Sequence, residues 1–344
     1  MKSLAVILIL IFSFGMPFVF AQEPSEGWER LSDMPEPRSE SKAVGYDDKI
    51  YVIGGLNNNG LAEHSMFVYD VKEDSWRVGT SMPTALHHSG AAIYDGKLYV
   101  VGGYYDQWQP SNELLIYDIK SNVWSKGTNM PTSRGALTAE FLDGKLYAIG
   151  GFNKETRSEN EVYDPQTDSW DTKSNLPTPR EHLASSVLDE QMYVIGGRSG
   201  QDNVDATEVY DYATDSWKSL EPLPTARSGL AASTMNQVIF VFGGEGYAGT
   251  FDENEAYIPD EGWFSQQPMP IPRHGLDAVT IDKNIYLIGG GIAPGASYSP
   301  ITEKYHNTII PEFGIFAGLI FTISVIMMVL LTKSRLKFIY KNSF

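Results

Sequence analysis

Four of the chain's six histidines, His87, His88, His182 and His274, fall one or two residues after a recurring position held by Arg38, Leu86, Arg134, Arg180, Arg227 and Arg273. Glu40 and Glu181 stand in the same zone. Imidazoles and carboxylates hold Zn or Cu and move protons near neutral pH. His88, His182 and His274 form the candidate metal set. The five arginines invite an anion-binding reading, but Glu161, Glu208, Glu255 and Glu303, each two before a tyrosine, are natural scaffold partners for them. The scaffold reading is the stronger one. A third group, Tyr104-Tyr105-Asp106-Gln107-Trp108, sets flat aromatics beside polar side chains, which suits a sugar ring or a peptide.

These residues are positioned by a repeat. Six Gly-Gly doublets (Gly54-Gly55, Gly102-Gly103, Gly150-Gly151, Gly196-Gly197, Gly243-Gly244, Gly289-Gly290) each close a short apolar run. Six tryptophans (Trp28, Trp76, Trp124, Trp170, Trp217, Trp263) recur with the same steps of 48, 48, 46, 47 and 46 residues. A strand-rich period of that length, marked by Gly and aromatics, points to propeller blades. In the third repeat, Ala136–Phe141 is the first strand, Asp143-Gly144 the hairpin turn and Lys145–Ile149 the second, buried strand. A loop of variable length follows the doublet, then a third strand at Glu161–Asp164 and a fourth at Trp170. From the arginine position to the first glycine the distance is 16 residues in all six repeats, so the inner hairpin is rigidly specified.

Gly-Gly after an apolar strand, a Tyr-Asp such as Tyr210-Asp211 and a Trp seven residues later together resemble the kelch repeat. The resemblance runs from Trp28 to about Tyr305 and implies an all-β, six-bladed propeller. The repeats begin with a fourth strand, Gly27–Leu31, and end with a third, Thr302–His306. The N-terminal strand is therefore expected to complete the last blade and remove a free sheet edge. Residues after each arginine and after each doublet then converge on one mouth of the central channel. Kelch domains that bind peptides use those positions. The expected ligand-binding set is Tyr104, Tyr105 and Trp108 with His87 and His88, facing His182, Arg198, Glu245 and His274. Leu86, the one break in the arginine series, reads as a further sign that the second blade has a separate task. The channel itself is expected to be too wide for these side chains to share one ion.

The two ends differ from the middle. Residues 1–21 have one lysine, an apolar stretch and the exit Val19-Phe20-Ala21, the pattern of a secretory signal peptide. Gly314 to Thr332 is uncharged and is followed by Lys333, Arg335, Lys337 and Lys341, which reads as a single span with a basic cytoplasmic tail. Pro311-Glu312-Phe313-Gly314, directly before it, resembles the PEF-type C-terminal sorting signals of archaeal surface proteins. The expected organisation is a signal peptide at 1–21, the propeller at 22–308, and a sorting signal or transmembrane anchor at 309–344. Residues 22–310 hold 21 Lys and Arg against 42 Asp and Glu, a net charge of about -21 that repels other polyanions and excludes nucleic acid as partner. The absence of Cys removes thiolate metal sites, thiol nucleophiles and the cysteine-linked tyrosine that oxidases of the galactose-oxidase kind require.

No phosphate loop, nucleophile–base spacing or cofactor motif appears, so no cofactor is expected. The expectation is a monomeric propeller on the extracellular side of the plasma membrane that binds an envelope protein or glycan. The alternatives are a cofactor-free, mutarotase-like sugar enzyme and a metal-dependent enzyme using the mouth histidines.

Overall fold

The computed structural model describes residues 27–306; the expected signal peptide, sorting motif and apolar C-terminal segment lie outside them. Six four-stranded antiparallel sheets form a ring. The blades begin at Lys42, Gly90, Thr138, Ala184, Ala231 and Asp277, each with its innermost strand on the channel. Innermost strands touch their neighbours all the way round, and Asp277–Ile281 meets Lys42–Tyr46 to shut the circle. The sixth blade is completed by Gly27–Arg30, which pairs with Thr302–His306 in the register Trp28↔Tyr305. Trp28 packs its indole against Tyr305 and Phe242. Among the described residues there is no α-helix, and no helix is long and apolar enough to cross a membrane.

Each marker residue has a mechanical role. At Gly102-Gly103 both residues have positive φ, and a Cβ on Gly102 would lie 2.6 Å from the Arg134 carbonyl of the next blade. That same carbonyl accepts a bond from Gly103 N–H at 2.9 Å, so the doublet lets two blades approach and then ties them. Trp124 reaches the other way, donating from Nε1 to the Thr80 carbonyl at the exit of the preceding blade. The tyrosine of the Tyr-Asp pair, as in Tyr210, donates to the aspartate that opens the fourth strand, here Asp215.

The arginines are scaffold, as their spacing to the glutamates suggests. Arg134, Arg180, Arg227 and Arg273 are fully buried and paired with Glu161, Glu208, Glu255 and Glu303 respectively. Arg134 also donates to the carbonyls of Gly150 and Ala148, each at 2.8 Å. In the first blade a phenylalanine holds the glutamate position, and Arg38 lies over the Phe67 ring at 5.4 Å while donating to Glu36 and Ser65. The second blade replaces both partners: Leu86 and Leu115 are buried in one core cluster. The missing arginine is thus a paired exchange of an ion pair for an apolar contact, not evidence of a separate task.

Candidate functional site

The residue two after each arginine position turns out to close the channel. Glu40, His88, Ala136, His182, Gly229 and Gly275 all adopt positive φ, between 49° and 62°. Each donates its backbone N–H to the carbonyl of its counterpart one blade back, at 2.8–3.0 Å, and Glu40 donates to Gly275 to complete a cycle of six. This ring caps the mouth. Below it runs a channel of about 340 Å³, walled by Lys42, Glu140, Ser185, Ser233, Asp277 and other innermost-strand residues. The expectation of a channel too wide for these groups to meet therefore fails, because the ring draws the backbone inward before the strands begin.

Three ring members carry functional side chains, and they gather at the mouth. One ligand atom each of Glu40, His88 and His182 lies within 4.8 Å of the others. His88 Nε2 is 3.5 Å from Glu40 Oε2. His274, the third histidine of the expected metal set, approaches Glu40 from the far side with its Nδ1 3.6 Å from Glu40 Oε1 and 3.6 Å from Glu245 Oε2. Glu40 was placed in the zone by sequence but left out of the candidate site. Its left-handed backbone, invisible in the residue spacing, is what aims it at the histidines.

The charged wall is paired within itself. Arg198 lies 3.0 Å from Glu181 and 3.3 Å from Glu245, and its guanidinium comes within 3.5 Å of His182 Nε2. Burial works against the charged form of His274, but Glu40 and Glu245 outweigh it and raise the pKa of the imidazole. Burial also pushes the Glu40 carboxyl up, and the facing histidines overcome it and hold the carboxyl well below its usual range. Without such a carboxylate at hydrogen-bond distance, His87 follows burial and falls to about 4, while His88 also lies well below the usual imidazole value.

The loop after Gly103 is a two-residue hairpin, Tyr104-Tyr105 with Gln109-Pro110, around a 3-10 turn at Asp106–Trp108. Similar small hairpins follow the doublets of blades three, four and five. Trp108 stands on this turn with positive φ and is 57% exposed, its indole against the rings of His87 (4.9 Å), His88 (5.0 Å) and Tyr104 (5.3 Å). Tyr104 is buried and donates to the Phe152 carbonyl, so it supports the tryptophan rather than offering a face. Tyr105 packs against the blade core and accepts a bond from Ser111, away from the cluster. The aromatic wall expected from three residues is therefore Trp108 alone.

Further exposed apolar side chains on the same face are Leu61, Tyr247 and Ile292. With Trp108 they occupy the loops of blades five, six, one and two, one continuous arc over four of the six blades. These loops are tied together by Ala62 N–H to Asp106, Gly295 N–H to Glu245 and Thr250 to the Ile292 carbonyl. The loops of blades three and four instead carry Lys154, Glu155, Arg157, Arg198 and Asp202. The loop face is an apolar arc and a charged arc around a His–Glu–Arg floor whose histidines are buried.

A ring of six such blades, closed by the strand Gly27–Arg30, defines a β-propeller whose loops after the doublets share one face. A family model described as the KLHDC2/KLHL20/DRC7 Kelch-repeats domain matches residues 24–176 and 127–291. The chain belongs to the kelch-repeat family. An F-box/kelch-repeat protein of Arabidopsis thaliana is 45% identical over 53 residues, which are 15% of this chain and 14% of the relative's length. The solved structure of YjhT superposes with a TM-score of 0.70 at 18% identity, over 79% of this chain and 95% of that one, a likeness of fold.

Proposed function

We propose that this chain is an exported, surface-anchored binding module whose loop face engages a protein or glycan of the cell envelope. The observation that carries the reading is Trp108: a large aromatic held in a left-handed backbone conformation, more than half exposed, and braced by buried His87, His88 and Tyr104. Left-handed backbone at a bulky side chain costs free energy and persists where the surroundings enforce it, as they do at binding sites. Tryptophans set against a polar, water-excluding floor commonly dominate binding. Membership of the kelch family supports a binding role, and the sequence pattern at the two ends supports export and anchoring. The test is Trp108→Ala, which should weaken binding to envelope glycans or peptides by about 2 kcal/mol or more while leaving the melting temperature nearly unchanged. A variant that unfolds, or that binds as the parent does, would remove the basis of the proposal.

A second reading, a cofactor-free sugar enzyme of the mutarotase kind, is favoured by one feature: His274 between the carboxylates of Glu40 and Glu245, a buried pair suited to moving a proton on and off a hydroxyl. Sugar anomerisation followed by NMR with the purified chain separates the two, since a binding module leaves the spontaneous rate unchanged.

A further inference from the structure

We propose that Glu40, His88 and His182 form a binding site for a divalent transition-metal ion, Zn2+ being the fitting case, seated on the capped mouth of the channel. Three independent features of the cluster lead there.

The first is backbone strain in one pattern. All six ring positions require the left-handed conformation, which glycine adopts freely and other residues adopt at a cost. Blades five and six meet the requirement with Gly229 and Gly275, and blade three uses the small Ala136. Blades one, two and four carry Glu, His and His instead, and those three are the ones whose ligand atoms meet within 4.8 Å. Ala136 carries the same backbone cost without a ligand atom, but each ring position that bears a metal-ligating side chain belongs to the converging set, and strained positions that gather such groups mark function.

The second is a paired imidazole. His87 Nδ1 and His88 Nδ1 lie 2.5 Å apart, so one ring donates to the other. Where His88 is the donor, the lone pair of its uncharged imidazole is on Nε2, which faces Glu40 Oε2 at 3.5 Å. A lone pair opposed to a carboxylate is repulsive, and a cation between them turns the repulsion into coordination. A ligating histidine whose other nitrogen is held by a polar partner is the usual arrangement at metal centres.

The third is an unspent donor set. His182 is buried, and its Nδ1 has no hydrogen-bond partner among the described residues; Glu181 Oε2 stands 3.4 Å away. Two imidazoles and one carboxylate, with no thiolate, suit Zn2+ and leave a fourth position for water or a ligand. Arg198, close to His182, is neutralised by Glu181 and Glu245 and so does not repel the ion outright.

The test uses the full purified chain, first stripped with chelator, then titrated with Zn2+ and with Co2+ as a spectroscopic probe. We expect one equivalent of Zn2+ by elemental analysis and a Co2+ visible spectrum of low coordination number. Glu40→Gly and His182→Gly install the residue that blades five and six already use, so both should fold at least as well as the parent and lose affinity by roughly tenfold or more. His64→Ala and His306→Ala, outside the cluster, should bind as the parent does. A folded parent that retains less than a tenth of an equivalent, or glycine variants that bind unchanged, would overturn the site.

Discussion

The buried Arg–Glu pairs allow a sharp energetic test, because the second blade has already performed the control. Arg134 has no solvent exposure and is held by Glu161 and the carbonyls of Thr132, Ala148 and Gly150, whereas the second blade has Leu86 and Leu115 at the same two places. Changing Glu161→Leu alone leaves a buried guanidinium without its counter-charge, a loss of about 3–5 kcal/mol. Arg134→Leu alone strands the carboxylate at similar cost. The double change rebuilds the apolar pair of the second blade. It still leaves the Gly150 and Ala148 carbonyls without their arginine donors, worth about 1–2 kcal/mol. The double variant should therefore be more stable than either single one, with a coupling of roughly 4 kcal/mol or more, above the usual range for neighbouring residues. Urea unfolding of the four proteins measures this directly, and in thermal melts each single change should lower Tm by roughly 6–10 °C. A double variant whose loss equals the sum of the singles would refute the pair-exchange explanation of Leu86.

Other expectations follow from the same contacts. Glu140 lies inside the channel, where burial lifts its carboxyl to about 7; the folded state then favours the protonated form, so stability is complete below the unfolded value near 4.5 and is lost as pH rises towards 7. Glu140→Gln should accordingly match the parent at pH 4 and exceed it in Tm above pH 7, and equal melting curves at high pH would reject the shift. Trp28→Ala removes the half-buried ring that joins the first described strand to Tyr305 and Phe242, with an expected loss of about 2 kcal/mol; chemical unfolding at unchanged midpoint would mean that ring closure rests elsewhere. Mass spectrometry of the mature protein should find its N-terminus at Gln22 and no peptide beyond Gly314, and recovery of peptides containing Lys333 to Lys341 would leave a plain membrane span.

The architecture was legible because its markers are backbone devices that recur. Two glycines, a Tyr-Asp and a Trp are each needed for an inter-blade or inter-strand bond, so they cannot drift out of phase. The scaffold role of the arginines was legible for the same reason: charge partners sit at a constant offset. The mouth was less so. The cyclic backbone ring depends on φ at six positions whose residue types, Glu, His, Ala, His, Gly and Gly, share no sequence signal beyond their distance from the arginine. The importance of Glu40 and the narrowing of the channel followed from that ring and were missed with it. Tyr105 was grouped with Trp108 by adjacency, but in a two-residue hairpin neighbouring side chains point to opposite sides, and only Trp108 and Tyr104 reach the histidines. Leu86 looked like a departure until its partner Leu115, distant in sequence and adjacent in space, explained it.

The central claim is that the working surface is the loop face over the capped mouth. Hydrogen–deuterium exchange of the full chain, alone and with purified envelope glycans and peptides, tests it most directly. The account predicts new protection in the hairpin around Trp108, in residues 245–250 and in residues 291–298, with the turns at Asp95-Gly96 and Asp143-Gly144 unchanged. Protection at those turns, or along the outer strands, with the Trp108 hairpin exchanging as before, would contradict it.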